Sequence, residues 1–575
     1  MLPRPLIPSL LALLLLVACA PAATRTESVP ASDGGSRAPA PAAPKRLTVP
    51  LGNEARFLAA KFESNNTFAL QLNYVVNSPL AVKNVQGIPL PLLAAELPSQ
   101  DAGTWTVHPD GTMTTTWKIR PGARWHDGVP ITAKDFDFAF RVYTDATVPL
   151  PDREPERYME RVEVRDPATF VIHWKQPYAR ANELITRQLE PLPEHQVGDL
   201  YAAGDPEAFL NHSFWVSPAY VGTGPFRLVE WDPGNQLTYR AFDGYFMGRP
   251  PLDEVVFKII PDINTVVANL LSGTVDVTVG ASLTNSATRL LISQWADGQV
   301  VTTLARFRWM QFQFDPARNR QPALLDVRVR RAVAHGLDRG AIAEAFTEGF
   351  APEVAEAFVP HTSPLYARVD QAIAKYPYDP NRAGTLLAEA GWTRRGDTLV
   401  NASGQPLTLE MWATGSGDEM QANLIASDLR KLGMELALTI LPSSRLSDFE
   451  YRAQFGGLTT TATSIDIPGL MRNWTTSQCP VAERRFAGNN RGCWFNAEFE
   501  RLYEVASTSL DPTEGDNAVV QGLKVLTDEL GILGLNYDPE NIAVRKGVVG
   551  PGLRWPGQFG STWNIHEWRW ESGLS

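Results

Sequence analysis

Short stretches in the first half of the chain alternate hydrophobic and polar residues, with turn residues between them. The alternation is clearest over residues 105–119, on both sides of a Pro-Asp-Gly turn. It recurs over residues 161–174 and 226–242, where an Asp-Pro turn separates the two halves of each stretch. A period of two around such a turn is typical of paired β-strands. The pattern predicts that the N-terminal half is rich in antiparallel hairpins.

Helices are predicted where the hydrophobic period lengthens after a capping signal. Thr132 with Asp135 three residues later matches a capping box, and Phe136, Phe140 and Tyr143 then fall on one helical face. We therefore expect an amphipathic helix directly after Thr132.

From about residue 325 onward, helical and strand patterns alternate. Asp379 before Pro380 and Gly391 after the last apolar residue delimit one helix. Strand patterns over residues 407–413 and 434–441 enclose a helical pattern in residues 420–433. Such β-α-β order predicts a second, α/β lobe. The pattern alone leaves open whether the two halves are independent domains or the two sides of a clamp.

The composition is that of a globular protein with more than one core. The chain has 575 residues, of which 44% are hydrophobic and 20% are charged. The net charge is −11, and no Lys/Arg-rich block is present. Because nucleic-acid partners require a basic surface, we expect no nucleic-acid partner.

The N-terminus carries a predicted export signal. The apolar run from Leu10 to Ala20 has eleven residues, about half of the ~20 that a membrane-spanning helix needs. Arg4 precedes it and small residues end it, which predicts a signal peptide over residues 1–18. Residues 19–44 are rich in Ala, Pro, Ser and Gly, so we expect a flexible linker and a fold that begins near residue 45.

One cysteine, Cys19, closes this apolar run. The sequence Leu16-Val17-Ala18-Cys19 resembles a bacterial lipobox, which implies a diacylglycerol on the Cys19 sulfur. One acyl chain binds a membrane only marginally, whereas two or more anchor a protein stably. The alternative is an ordinary signal peptide whose cleavage region contains a cysteine.

The other two cysteines are Cys479 and Cys493, with 13 residues between them. In an exported protein such a pair most simply forms a disulfide, which would stabilise the fold by about 3 kcal/mol. A zinc site is the alternative, although the loop contains neither a CxxC motif nor a histidine.

Catalytic signatures are missing from the sequence. It contains no GxSxG, HExxH or P-loop motif, so we expect neither an enzyme nor a cofactor. His126 and Asp127 could form an acid–base pair, but neighbours on a strand point to opposite faces. A turn at Asp127-Gly128 before the capped helix is the favoured interpretation. The sequence contains no pair of histidines with the spacing of metal ligands, so we expect no metal site.

Four separated blocks of the sequence, residues 117–140, 222–234, 242–277 and 325–339, occur in the order of the blocks of one known family. They resemble the bacterial extracellular solute-binding proteins of family 5 that serve peptide and nickel ABC importers, and residues 117–140 resemble the signature of that family. The matching signature positions are Gly122, His126, Asp127, Gly128, Thr132, Ala133 and Asp135.

The resemblance implies an α/β, two-lobed periplasmic-binding-protein (Venus-flytrap) fold, type II-like, with an extra subdomain in the N-terminal lobe. Lobe I would comprise residues 45–305, lobe II residues 306–533, and the C-terminal return to lobe I residues 534–575. Two crossover strands would join the lobes, which settles the clamp question in favour of one hinged protein.

The implied function is a monomeric, lipid-anchored receptor that captures peptides by hinge closure and delivers them to an ABC permease. The alternatives are a non-peptide solute such as a sugar or a nickel complex, or a role in sensing. A secreted enzyme on the same scaffold is less favoured.

The resemblance also implies ligand contacts. In peptide-binding members, an Asp of the second lobe neutralises the amino terminus of the ligand, and Asp466 is the only carboxylate in the matching residues 459–479. The family pattern carries a Trp and more acidic residues there, so a cap or turn role for Asp466 stays open. Trp412, at the end of a predicted strand, would line the cleft or pack in the core. The Cys479/Cys493 loop resembles a disulfide loop of dipeptide-binding members.

Overall fold

The computed structural model describes residues 44–571, except 64–67, 281, 351, 362, 443–444, 446–447, 466–468, 485, 555–556 and 558–559. For residues 414–417 it describes the backbone alone. Two positions that the sequence singles out, Cys19 and Asp466, therefore lie outside the described residues.

The strands of the described residues are, in chain order, β1 (Arg46–Leu51), β2 (Ala81–Lys83), β3 (Pro89–Pro91), β4 (Trp105–Val107), β5 (Met113–Lys118), β6 (Met159–Asp166), β7 (Thr169–Trp174), β8 (Phe226–Asp232), β9 (Gln236–Ala241), β10 (Glu254–Ile259), β11 (Gly298–Phe312), β12 (Thr393–Arg395), β13 (Thr398–Val400), β14 (Thr408–Thr414), β15 (Glu435–Leu441), β16 (Leu458–Ser464), β17 (Ile532–Arg545), β18 (Val548–Val549) and β19 (Arg569–Trp570).

The α-helices are α1 (Ala69–Val76), α2 (Ala133–Thr144), α3 (Glu194–Ala202), α4 (Pro206–Leu210), α5 (Ile263–Leu271), α6 (Asn285–Gln294), α7 (Val327–Gly336), α8 (Arg339–Thr347), α9 (Tyr366–Ala372), α10 (Pro380–Glu389), α11 (Gly415–Lys431), α12 (Phe449–Arg452), α13 (Gly469–Arg472), α14 (Ala497–Thr508) and α15 (Pro512–Asp528). Within the described part of the chain, none of these helices combines the length and the apolar character that crossing a membrane requires.

Lobe I is built around two four-stranded sheets that share one hydrophobic core. The first has the order β1-β10-β9-β8, with β1 parallel to β10, and the second is the antiparallel sheet β4-β5-β7-β6. The predicted hairpins are confirmed as the pairs β4/β5, β6/β7 and β8/β9. The second sheet and α2 pack into the same hydrophobic core as the first sheet, and the extra subdomain stays a prediction.

The predicted helix starts are also confirmed. At the start of α2 the capping box between Thr132 and Asp135 is formed, and Phe136 stacks on Phe170 of β7 with ring centroids 4.4 Å apart. At the start of α10 the carboxylate of Asp379 accepts from the backbone N–H of Arg382 at 2.9 Å. These helices therefore begin at residues whose neighbouring side chains accept hydrogen bonds from the otherwise free N–H groups of the first turn.

Lobe II is built around a five-stranded sheet of order β15-β14-β16-β11-β17. β14 is parallel to β15 over seven residue pairs, which confirms the predicted β-α-β unit through α11. One face of the sheet is covered by a core that includes residues of α7, α10 and α11, and the other by a core with residues of α14 and α15. Both faces of the sheet are therefore covered, and β15, at its edge, alternates buried with more exposed residues.

The long strands β11 and β17 connect the two lobes. They pair antiparallel from Gly298↔Arg545 to Gln311↔Ile532, so that one end of the ribbon lies in lobe I and the other in lobe II. The register shifts between Leu304 and Arg306, opposite Pro539. Such an irregularity bends a strand pair locally. It lies within the ribbon, between the part that belongs to lobe I and the part that belongs to lobe II.

The His126-Asp127 pair of the signature does not act together. His126 is buried and its ring bonds to the backbone of Gly222 and Gly224, whereas Asp127 faces His195 at 2.7 Å. Gly128 has a φ of +89° and completes the turn, which confirms the turn interpretation. The glycine-rich stretch that contains Gly222 and Gly224 is thus part of the lobe I core.

Candidate functional site

The strand order of lobe II creates a crevice between β14 and β16. After β14 the chain passes through α11 to β15 on one side, and after β15 it passes through α12 to β16 on the other side of β14. β14 and β16 pair only at Met411↔Leu458 and Trp412↔Thr459, so their carboxyl ends separate. In α/β sheets, ligands bind outside the carboxyl ends of the strands at such a switch in strand order.

Trp412 lies at the mouth of this crevice. Its side chain is 9% exposed and packs against Tyr451 of α12, with ring centroids 5.2 Å apart. Leu441 and Phe455 complete a small apolar cluster with it. The Thr459 hydroxyl donates to the Trp412 carbonyl at 3.0 Å and holds the last paired residues of the two strands together. Packing of Trp412 is therefore established, and its contact with a ligand stays a prediction.

A buried network of opposite charges occupies the middle of the β11/β17 ribbon. The Arg308 guanidinium donates to both oxygens of Asp538, at 2.9 and 2.8 Å, and to Asp418 of α11 at 2.5 Å. Arg306 contacts Asp538 from the more exposed side at 2.9 Å. Burial by itself would raise the pKa of Asp538, but Arg308 and Arg306 hold it below its ordinary value. The network joins the connecting ribbon to the first turn of α11.

Several polar atoms near the β11 and β16 strands lack a hydrogen-bond partner among the described residues. Gln421 donates to Asn536 at 2.8 Å, but its own carbonyl oxygen accepts nothing, and neither does the hydroxyl of Thr460 find a partner. On the opposite sheet face, the side-chain N–H groups of Gln311, Trp309 and Trp474 donate to nothing. Buried polar groups without partners are uncommon, so these atoms mark positions in lobe II where hydrogen-bonding capacity is left unused among the described residues.

The two lobes touch beside this crevice. Arg472 of α13 pairs with Asp152 of lobe I at 2.5 Å, and the Tyr503 hydroxyl of α14 donates to Glu154 at 2.9 Å. Burial alone would raise the pKa of Asp152, but the positive charge of Arg472 holds it well below its ordinary value. A backbone hydrogen bond from Ala179 to Ser507 at 2.9 Å adds a further link.

The Cys479/Cys493 segment forms a loop beside β11. The structure joins the two sulfur atoms, with the Cα atoms 4.8 Å apart. The Asn490 side chain donates to the carbonyls of Trp474, Thr475 and Trp494, at 3.2, 3.1 and 2.8 Å. The described residues contain no group of three or more His, Cys, Asp or Glu side chains that could hold a metal ion.

Sequence reasoning did not find the charged residues of this region. Arg308, Asp418 and Asp538 are far apart in the chain and were not singled out, and neither was Arg472. A usable signal existed for Asp418, because it follows the strand end at Thr414 in the first turn of the next helix. The others carry no local signal, since an Arg or Asp inside a strand pattern is equally typical of an exposed face.

A family profile described as "Bacterial extracellular solute-binding proteins, family 5 Middle" matches residues 91–479 of this chain, more than half of its length. Among curated proteins, the oligopeptide-binding protein AppA of Bacillus subtilis is 26% identical over 461 residues, which is 77% of this chain and 78% of that protein.

Solved structures share the architecture. An oligopeptide-binding protein from Thermus thermophilus, complexed with a pentapeptide, superposes with a TM-score of 0.78 at 24% identity over 92% of this chain and 97% of that chain. NikZ from Campylobacter jejuni, in complex with Ni(L-His), gives 0.77 at 20% identity over 92% and 100%. The overall architecture is therefore the two-lobed periplasmic-binding-protein fold.

Proposed function

The chain belongs to the bacterial extracellular solute-binding proteins of family 5, and on this premise we propose that it captures peptides outside the membrane for an ABC permease. The observation that carries the proposal is the polar crevice at the carboxyl ends of β14 and β16, flanked by a ribbon on which the lobes can hinge. Relatives named as oligopeptide-binding proteins support a peptide as the ligand. Binding and closure need no covalent step.

Closure follows from contacts that the ligand makes with both lobes. A ligand shifts the open–closed equilibrium only by the difference between its interaction free energies in the two states. An extended peptide offers backbone groups to both lobes in the way that an added strand does. In this proposal lobe I comprises residues 45–305 and 534–575, lobe II comprises residues 306–533, and Trp412 supplies apolar contact area to the peptide.

We further propose that Cys19 carries a lipid and that residues 19–44 tether the monomeric receptor to the membrane. A tether of this length keeps the receptor at high effective concentration near its permease. The Cys479–Cys493 disulfide would then form in an oxidising compartment, as is usual for an exported protein. The extracellular role of the family supports this location.

The proposal is tested through the amino terminus of the ligand. We expect Asp466→Asn to weaken the binding of an alanine pentapeptide about 100-fold, because a desolvated ammonium group would lose its counter-charge. The measurement is isothermal titration calorimetry of the wild type and the variant with the free peptide and with its N-acetylated form.

Two comparisons make this experiment decisive. The acetylated peptide has no ammonium group, so its affinity is expected to be the same for both proteins. Asp397→Asn, at an exposed turn, is the matched control and leaves both affinities unchanged. Equal binding of the free peptide to the wild type and to Asp466→Asn would refute the role of Asp466, and failure of the wild type to bind any peptide would refute the ligand class.

The contact between the lobes leads to a second prediction. Arg472→Ala is expected to weaken peptide binding about tenfold, because the contact between the lobes loses an ion pair whose side chains are only about a quarter exposed. The dissociation constant is measured by calorimetry, and small-angle scattering of the peptide-bound variant should show a larger radius of gyration. Arg501→Ala, which removes an exposed pair with Glu498, serves as the control. Identical affinities for the two variants would show that the Arg472 contact does not contribute to closure.

A further inference from the structure

Arg491 occupies a rigid position in the loop between Cys479 and Cys493. The preceding residue, Asn490, is held by three hydrogen bonds to backbone carbonyls. The following residue, Gly492, donates to the side chain of Gln311 at 3.2 Å, and a Cβ atom there would lie 2.0 Å from the Phe312 carbonyl oxygen. The backbone around Arg491 is thus fixed against β11, which limits where its side chain can reach.

Arg491 differs from the other buried arginines of the described residues. Arg308 and Arg554 each pair with a carboxylate, Arg339 pairs with Glu356 and with two carbonyls, and Arg330 donates to three carbonyls. Arg491 is 9% exposed, and among the described residues it has neither a hydrogen-bond nor an ion-pair partner.

The charges around Arg491 do not compensate it. The groups that act on it electrostatically are Arg452, at the end of α12, and Asp418, at the start of α11. Burial and the like charge of Arg452 lower the pKa of Arg491 well below its ordinary value, while Asp418 opposes them. Asp418 is already engaged by Arg308 at 2.5 Å. Burying a guanidinium without its own counter-charge is costly.

One face of β11, beside this loop, carries further donors that lack acceptors among the described residues. Trp309 and Gln311 are two positions apart on β11, so their side chains lie on the same face of the sheet. The indole of Trp474 packs on Trp309 with ring centroids 5.7 Å apart. The N–H groups of all three side chains lack an acceptor among the described residues. Arg491 adjoins this set through Gly492 and Gln311. Both indoles belong to a hydrophobic core and are 0% and 1% exposed, so these side chains add donors, and no acceptor, to the surroundings of the Arg491 guanidinium.

We propose that Arg491 binds a carboxylate group of the captured ligand. This inference rests on the proposed function and specifies the chemistry of its ligand. A carboxylate fits because the planar guanidinium matches two carboxylate oxygens and forms two parallel charge-assisted hydrogen bonds. The carboxylate can be the C-terminus of a peptide or an acidic side chain, and these two sources present the same chemistry to Arg491.

Four pentapeptides distinguish the sources. They consist of alanine with either Glu or Gln at the centre, and each is made with a free C-terminus or a C-terminal amide. Calorimetry on the wild type shows whether amidation or the Glu-to-Gln change lowers the affinity. We expect Arg491→Met to remove that preference by lowering the affinity for the preferred acidic peptide about 30-fold. The variant and the wild type should bind the neutral peptide, with Gln and a C-terminal amide, with equal affinity.

Ligand-free stability provides an independent readout. Because the described residues provide no ion-pair partner for this buried charge, Arg491→Met is expected to raise the melting temperature of the ligand-free protein. Arg484→Met, at an exposed position of the same loop, is the matched control and changes neither stability nor peptide preference. An Arg491→Met variant that melts at a lower temperature and keeps the acid preference would overturn the proposal and assign Arg491 a structural role.

Failure of the peptide assignment would give a different pattern. If the wild type binds none of the four peptides, the ligand class is wrong and the carboxylate proposal is judged with glutarate. Stabilisation of the wild type by glutarate, without stabilisation of Arg491→Met, supports it. No stabilisation of the wild type by glutarate overturns it.

Discussion

Replacing Asp538 with alanine is expected to lower the free energy of unfolding by about 3–5 kcal/mol, which is the range for removing one partner of a buried ion pair. Asp538 is 3% exposed and accepts two hydrogen bonds from Arg308. Its loss leaves that guanidinium buried with only Asp418 and also deprives Arg306 of its partner. Urea denaturation of the ligand-free protein measures the change.

An exposed ion pair provides the matched control for Asp538. Glu498 pairs with Arg501 at 2.7 Å, but both side chains are more than half exposed. Because solvent screens such a pair, we expect Glu498→Ala to leave the urea midpoint unchanged within the error of the measurement. Asp538→Asn, which keeps the size of the side chain and loses its charge, should fall between the two. Similar losses for Asp538→Ala and Glu498→Ala would mean that the ribbon network does not stabilise the fold.

A second large effect is expected from pH and His126. The ring nitrogen Nδ1 accepts from the Gly222 N–H at 3.2 Å, and Nε2 donates to the Gly224 carbonyl at 3.0 Å. Protonation of Nδ1 would place two donors against each other. Burial, the largest influence, lowers the pKa of His126 from 6.5 to about 4. The neutral ring is therefore the form that the lobe I core accepts.

The sign of the pH effect follows from proton uptake. Between pH 6.5 and about 4 the unfolded chain protonates His126 and the folded chain does not. The stability contributed by the neutral ring is thus complete above pH 6.5 and is lost as the pH falls to about 4, by up to about 3 kcal/mol. Unfolding free energies of the wild type and of His126→Gln are compared at intervals from pH 7 to pH 4.

Comparison with the variant separates the contribution of His126 to the pH dependence of stability from that of carboxylates that titrate in the same pH range. His126→Gln is expected to be less stable than the wild type at pH 7, and the difference should shrink as the pH falls. His361→Gln, at a side chain that is 62% exposed, should follow the wild-type curve. A constant difference between the wild type and His126→Gln across this range would show that His126 does not titrate with unfolding.

Much of the local structure was predictable because it depends on neighbours in sequence. The hairpins follow from alternation around a turn, and the start of α2 follows from two side chains three residues apart. The unit β14-α11-β15 follows from the change in hydrophobic period. Each of these features is determined by contacts within a few residues or by which side of an element is buried.

The candidate site was predictable only in part. The sequence singles out Trp412 near the end of a strand, and the structure packs it in an apolar cluster at the last residue pair that joins β14 and β16, while its contact with a ligand stays a prediction. Cys19 and Asp466, which depend on resemblance, stay predictions outside the described residues. The crevice itself depends on strand order, and no local pattern specifies that β16 lies beside β14 and β15 on its other side.

The sequence by itself determined the family, the alternation of hairpins and helices and the general two-lobed fold. Only the tertiary structure decided which charges are buried together. Asp418 lies 110 residues from Arg308, and Asp538 lies 230 residues from it. The tertiary structure also decided that Arg491 is buried without a partner among the described residues, whereas Arg308 is buried with two carboxylate partners. The physical reason is that burial and pairing of a charge depend on residues that are distant in the chain, whereas turns, caps and hydrophobic periods depend on residues that are adjacent.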